Sequence, residues 1–218
     1  MLKTCVFDLD GTLAYTLESM WLPANEVLKH FGLKELPLDN FRYYCGDGAT
    51  ELVKRCLRDA GDPELRLLEE AERMYRKKFN ADPMRGVTVY EGMREALSEL
   101  KRLGASLAVC SNKPAEGAIK VVDVLYPGVF EAVIGQMEGI RRKPFPDTAL
   151  LAAEKTGAQP EECMYIGDSS TDMETGHAAG MFTVGAVWGY RGRKELTDYG
   201  ADALAERPGD LPEIFRSR

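Results

Sequence analysis

Six consecutive residues near the start of the chain, Asp8-Leu9-Asp10-Gly11-Thr12-Leu13, carry the sharpest chemical signal in the sequence. Two carboxylates two residues apart on an extended segment point to the same side, and the Gly-Thr behind them lets the chain turn tightly. Four specified residue types at roughly 5–7% each would meet by chance about once in 10⁵ start positions, so coincidence is the weaker reading. Aspartates also cap turns with no further role. Two acids side by side repel, however, and need a metal ion or a cation to compensate. Compensating groups stand further along: Ser111-Asn112, Lys143-Pro144, and Gly167-Asp168-Ser169-Ser170-Thr171-Asp172. Singly these are ordinary, since Ser111 could be an N-cap and a lone Lys143 would usually lie at the surface. The weight rests on the set.

The elements that must position them are legible from the apolar runs. Thr4–Phe7, Ser106–Cys110, Ala132–Ile134, Met164–Ile166 and Phe182–Val184 read as parallel strands buried on both faces. Between most of them lie helical patterns at Gly92–Leu103, Pro114–Leu125, Asp147–Thr156 and Ser170–Ala179. That alternation predicts an α/β fold with a doubly wound, Rossmann-like parallel sheet. Each candidate residue follows a strand, at the carboxyl edge where open sheets bind ligands. Residues 16–81 break the alternation with helical patterns alone, at Leu17–Phe31 (with Pro23 placed to start or kink it), Ala49–Ala60 and Pro63–Asn80. The expected organisation is a catalytic core of residues 1–15 and 82–218, with an α-helical cap of residues 16–81 inserted after the first strand.

With these motifs in order, the sequence resembles the haloacid dehalogenase superfamily of phosphohydrolases: DLDGTL at 8–13, SN at 111–112, RKPFPD at 142–147 and GDSSTD at 167–172. The helical insert resembles the cap of the subfamily that carries one at that point. Gly46-Asp47-Gly48-Ala49, Leu52-Val53 and Ser111-Asn112-Lys113-Pro114 are similar to the phosphoglycolate phosphatases. The resemblance implies a phosphatase that hydrolyses a small organic phosphate through an aspartyl-phosphate on Asp8, with Asp10 as general acid and base. It implies Mg²⁺ held by the Asp8 carboxylate, the Asp10 backbone carbonyl and Asp168. Ser111 and the backbone N–H of Asn112 would bind phosphoryl oxygens, and Lys143 would neutralise charge on Asp8 and the phosphate. Asp172 would orient Lys143 or a water near the metal, with Thr12 likewise behind the acids. Members of the subfamily often have an acid where this chain has Tyr15, which loosens any close substrate assignment. A phosphomutase of β-phosphoglucomutase type and a pyrophosphatase share these motifs. A phospho-acceptor signalling module would lack the DxDGT on its first strand, and a catalytically dead binding protein would lack one of the motif acids or Lys143.

The bulk numbers agree. The 218 residues are 44% hydrophobic and 29% charged, enough apolar material for a core without disulfides. A net charge of −7 argues against nucleic acid as a partner. No run approaches the ~20 apolar residues of a membrane span, and the five cysteines form no CxxC pair. A cytoplasmic protein with reduced thiols is expected, a monomer or homodimer without membrane partners, acting on a small phosphorylated metabolite. His30 and His177 have no ligand partners nearby in sequence. Trp21 and Trp188 read as core or loop anchors, the second in a Trp188-Gly189-Tyr190-Arg191 segment that would border the site. Arg42, Lys54 and Arg55 could meet a substrate carboxylate, although a solvated role is the commoner one for such residues.

Overall fold

The computed structural model describes all residues, Met1–Arg218. Strand β1 (Thr4–Phe7) opens the chain with all four residues buried, as a central strand covered on both faces requires. The chain leaves through β2 (Ala14–Tyr15) into four helices: α1 (Leu17–His30), α2 (Phe41–Tyr44), α3 (Ala49–Ala60) and α4 (Leu68–Ala81). It returns through β3 (Thr88–Val89). Helices and strands then alternate: α5 (Met93–Arg102), β4 (Ser106–Pro114), α6 (Ala115–Leu125), β5 (Ala132–Gln136) and α7 (Asp147–Lys155). They continue with β6 (Cys163–Gly167), α8 (Ser170–Ala179), β7 (Phe182–Ala186), α9 (Gly192–Asp198), β8 (Ala203–Ala205) and α10 (Leu211–Arg216).

Six strands form one sheet in the order β5-β4-β1-β6-β7-β8, every neighbouring pair parallel. After β1 the chain winds outward to β4 and β5, then crosses back to β6, β7 and β8. The winding direction therefore reverses at β1, and the crevice at such a reversal is where doubly wound sheets take ligands. This is the α/β architecture expected from the alternation of apolar runs.

Helix packing explains several local choices. The apolar positions of α5, Met93, Ala96, Leu97 and Leu100, are all buried, and Gly104 ends the segment at a φ of 87°. In α7 the inward face is small (Ala149, Ala152, Ala153) and packs in one cluster with Val6, Ala108, Ile134 and Tyr165 of the sheet. Small side chains there bring the helix close to the strands that carry the acidic residues.

Two compact units emerge, Met1–Tyr15 with Val89–Arg218, and Thr16–Thr88. Residues 82–88 side with the helices. Within the helical unit, Phe41, Leu28, Leu52 and Leu57 are fully buried. Asn25 donates to the Leu36 carbonyl at 2.9 Å and accepts from its N–H at 2.9 Å, while the Trp21 indole donates to the same carbonyl. Pro23 lies inside α1 and does not break it. All five cysteines are free and buried. Burial pushes Cys5 and Cys110 up and raises Cys56 and Cys163 to about 12. No helix is long and apolar enough to cross a membrane.

Candidate active site

Asp8 is the first residue beyond β1, and its N–H still continues the sheet pattern by donating to the Ile166 carbonyl at 2.8 Å. The chain then turns: the N–H groups of Leu13 and Ala14 return to the Leu9 carbonyl, and that of Gly11 to the Ala14 carbonyl. Gly11 is required twice over. Its φ is 98°, a left-handed value, and a Cβ there would lie 2.4 Å from a carboxylate oxygen of Asp168. The turn thus brings the first acidic motif against the fourth.

Asp168 follows β6 and is buried. One of its oxygens accepts from the Thr12 hydroxyl at 3.3 Å, the other from the Tyr190 backbone N–H at 2.6 Å. Tyr190 belongs to the loop after β7, which is tied down where the Trp188 indole donates to the Thr12 carbonyl at 3.0 Å. Gly189 in the same loop has no room for a side chain, since a Cβ would stand 2.1 Å from Asp168 Cβ.

Lys143 reaches the same point from the loop before α7. Its ammonium donates to Asp8 at 2.7 Å, to Asp172 at 2.7 Å and to the Cys110 carbonyl at 3.3 Å, using all three protons. The Asn112 side chain clamps the Lys143 backbone, donating to its carbonyl at 3.2 Å and accepting from its N–H at 2.9 Å. Asp172, in the first turn of α8, accepts from Ser169 N–H and Oγ at 3.1 and 2.6 Å and from the Tyr165 hydroxyl at 3.3 Å. Gly167 permits this approach, as a Cβ there would meet Asp172 Cβ at 2.2 Å. Ser111, buried within β4, accepts from the Lys113 N–H at 3.2 Å.

The electrostatics follow from burial. Asp8 is pushed up to about 7, first by burial, with Asp172 and Asp10 adding to the rise and Lys143 opposing it. Asp168 is raised well above the usual carboxylate range, again by burial and then by Asp172 and Asp8. Burial alone would lower the Lys143 ammonium, but Asp172 and Asp8 overturn that and hold it above its ordinary value. One lysine therefore does not neutralise the group.

Asp8, Asp168 and Asp172 each offer a carboxylate oxygen within 4.8 Å of the others. Three buried hard-oxygen donors with two strongly raised pKa values fit a hard divalent cation such as Mg²⁺, which takes few protein oxygens. Asp172 already serves Lys143, Tyr165 and Ser169, so Asp8 and Asp168 are the better candidates of the three. The Asp10 carboxylate stands apart from this group. It is paired with Lys113, whose ammonium lies 2.8 and 3.0 Å from its two oxygens.

The structure thus brings Asp8, Asn112, Lys143 and Asp172 into one bonded network, with Asp168 and Thr12 bonded to each other beside it and Ser111 on the adjoining strand. Sequence reasoning set Trp188-Gly189-Tyr190-Arg191 at the border of the site and Lys113 within the second motif, but missed Tyr165, the Tyr190 N–H on Asp168 and the pairing of Lys113 with Asp10. Arg42 and Lys54 form ion pairs with Asp39 and Glu51. Arg55 holds Asp47 and the carbonyls of Tyr43 and Tyr44.

Residues 5–186 match the family model of the haloacid dehalogenase-like hydrolases. A phosphoglycolate phosphatase of Aquifex aeolicus is 33% identical over 215 residues, covering 98% of this chain and 97% of its own. One from Nitrosospira multiformis is 31% identical, covering 93% and 91%. Among solved structures, CbbY from Rhodobacter sphaeroides in complex with phosphate superposes with a TM-score of 0.79 at 25% identity, over 97% of this chain and 96% of that one. The chain belongs to the haloacid dehalogenase-like hydrolase family, as an enzyme of the phosphoric monoester hydrolase class.

Proposed function

We propose that the protein hydrolyses a small phosphate monoester, phosphoglycolate first among them, through a phosphate ester formed on Asp8. The observation that carries this reading is the Lys143 ammonium bridging Asp8 and Asp172 at 2.7 Å each, beside Asp168, at the carboxyl edge where the sheet reverses. The phosphoglycolate assignment is supported by relatives of that activity aligned over nearly the whole chain.

An oxygen of Asp8 attacks phosphorus as the ester P–O bond breaks, and the departing alkoxide takes a proton from Asp10. Water then attacks the phosphorus of the aspartyl-phosphate and gives a proton to Asp10, and the bond to Asp8 breaks to release phosphate. Ser111 and the Asn112 N–H hold phosphoryl oxygens throughout. Lys143 stays on Asp8 and fixes its direction, while Asp172 and Asn112 fix Lys143. Mg²⁺ held by Asp8, Asp168 and the Asp10 carbonyl would, when bound, offset the repulsion between an anionic nucleophile and an anionic phosphoryl group. Residues 16–81 act as the substrate-selecting cap in this reading, and 1–15 with 82–218 as the catalytic core.

Phosphate release from small phosphoesters, sugar phosphates and pyrophosphate, with Mg²⁺ or with EDTA, tests it beside Asp8→Asn. Turnover that needs Mg²⁺ and is lost in the variant is expected, with phosphoglycolate the best substrate. A sugar phosphate or pyrophosphate turned over about tenfold faster, a gap worth ~1.4 kcal/mol in transition-state binding, would reassign the substrate.

A further inference from the structure

Lys113 has no role in the mechanism above, yet it is one of the most enclosed cations of the core. Its side chain is 3% exposed, and its ammonium meets both oxygens of Asp10, itself 17% exposed, at 2.8 and 3.0 Å. A lysine on a flexible four-carbon stem is seldom enclosed unless its charge is matched. Here the match is the carboxylate that the mechanism uses as acid and base.

The strand explains how it gets there. β4 extends past the sheet core to Pro114, with an irregular register between Cys110 and Pro114. Ser111 and Lys113 are two apart on that extension, so their side chains leave it on the same side. The Lys113 N–H donates to Ser111 Oγ at 3.2 Å, tying the two together. One strand end therefore presents a phosphate-binding hydroxyl and, one residue beyond Asn112, a cation that reaches Asp10. Asp10 sits on a turn, and the two side-chain hydrogen bonds that direct its carboxylate both come from Lys113.

We propose that Lys113 is a positioning residue for Asp10: it holds the carboxylate in the direction from which a proton passes to the leaving oxygen. This rests on the acid role given to Asp10 above. Lys113 takes one lone pair on each oxygen, which fixes the plane of the carboxyl group and leaves the remaining lone pairs for the proton that goes to the ester. There the proton leaves Asp10 as the P–O bond to the alkoxide breaks and the bond from Asp8 forms.

Leaving groups separate this from a structural role. An alkoxide needs the proton and a nitrophenolate does not, and kcat/KM reports the steps through departure of the leaving group. The experiment measures kcat/KM for phosphoglycolate and for p-nitrophenyl phosphate in the wild type, Asp10→Asn, Lys113→Met and Lys113→Arg, with Tm checked for each. Asp10→Asn and Lys113→Met are both expected to lose about 10²-fold more on phosphoglycolate than on the aryl ester. Lys113→Arg, which keeps a two-point contact, should recover most of that ratio. Equal losses on both esters in Lys113→Met, beside a selective loss in Asp10→Asn, would overturn the role of Lys113 alone. Equal losses in Asp10→Asn as well would overturn the acid role of Asp10 and this inference with it. Should Lys113→Met fail to fold, Lys113→Gln and Lys113→Arg carry the same comparison.

Discussion

The ammonium of Lys143 lies 2.7 Å from Asp8 and is held on its far side by Asp172 at the same distance, with only 4% of the lysine side chain exposed. The charge that faces the nucleophile is thus fixed in place before any substrate arrives, as effective electrostatic catalysis requires. Replacing Lys143 with Ala should lower kcat by about 10²–10³-fold at saturating substrate. The metal-free variant should also lose about 3 kcal/mol of stability, because two buried acids are left without their shared partner. Steady-state kinetics and urea denaturation in EDTA check both. A variant with unchanged kcat would remove Lys143 from the chemistry.

The raised acids make the metal-free protein sensitive to pH in a direction opposite to that of an ordinary salt bridge. Asp8 titrates at about 7 when folded against 3.8 as a free side chain, and Asp168 is raised well above 3.8 also. The folded state therefore keeps protons that the unfolded chain has released. The associated stability is complete below about 4 and is lost as pH rises through about 7. In EDTA, Tm should fall as the pH is taken from 5 to 8. Mg²⁺ competes with those protons, so the Tm gain on adding it should be larger at pH 8 than at pH 5. A metal-induced gain equal at both ends would show that these acids are not where the ion binds.

Gly189 offers a test of how tightly Asp168 is seated. A methyl group there would press into Asp168 Cβ at 2.1 Å, which has backbone on one side and the Tyr190 N–H on the other. Gly189→Ala should weaken Mg²⁺ binding, read by calorimetry, by about 10–100-fold, the scale on which supports behind a metal ligand act. An unchanged affinity would mean that the loop after β7 yields and does not fix Asp168.

In the helical unit, Asn25 holds the Leu36 backbone at two points while buried at 8% exposure. Asn25→Ala leaves a buried N–H and C=O short of partners, although Trp21 still reaches the carbonyl. A loss of about 1–3 kcal/mol is expected, measured by thermal or urea denaturation, whereas Asn25→Asp should keep the bond from the Leu36 N–H and lose less.

Much of the site was legible because each of its parts follows an apolar run. Asp8, Ser111 and Asp168 sit at or just past the ends of apolar runs, and a parallel sheet places all such positions along one edge. The helix pattern at Ser170–Ala179 was equally plain, bounded by Ser169 and Gly180. Lys113 was not legible as a partner of Asp10, because a pairing across 103 residues depends on how the Gly11 turn and the irregular end of β4 meet. The Tyr190 contact is made by a backbone N–H, which any residue would supply, so its side chain carried no sign of it. α4 begins at Leu68, short of the expected Pro63, because Asp62 accepts from the N–H groups of Arg66 and Leu67 and Leu65 takes a φ of 58°. That turn competes with the first helical bonds. β8, α9 and α10 are too short for periodicity to show.

The five enclosed thiols turn the chain into a recorder of its own breathing. Cys5, Cys110 and Cys163 belong to the sheet unit, and Cys45 and Cys56 to the helical one. A thiol that is covered reacts with an alkylating reagent only in the fraction of molecules that have opened around it. Mass spectrometry of partly labelled protein would then time the opening of each unit separately, with no probe engineered in. Labelling at Cys110, which contacts Thr148 and Tyr165 and whose carbonyl accepts from Lys143, would mark the loosening of the chemistry's own floor.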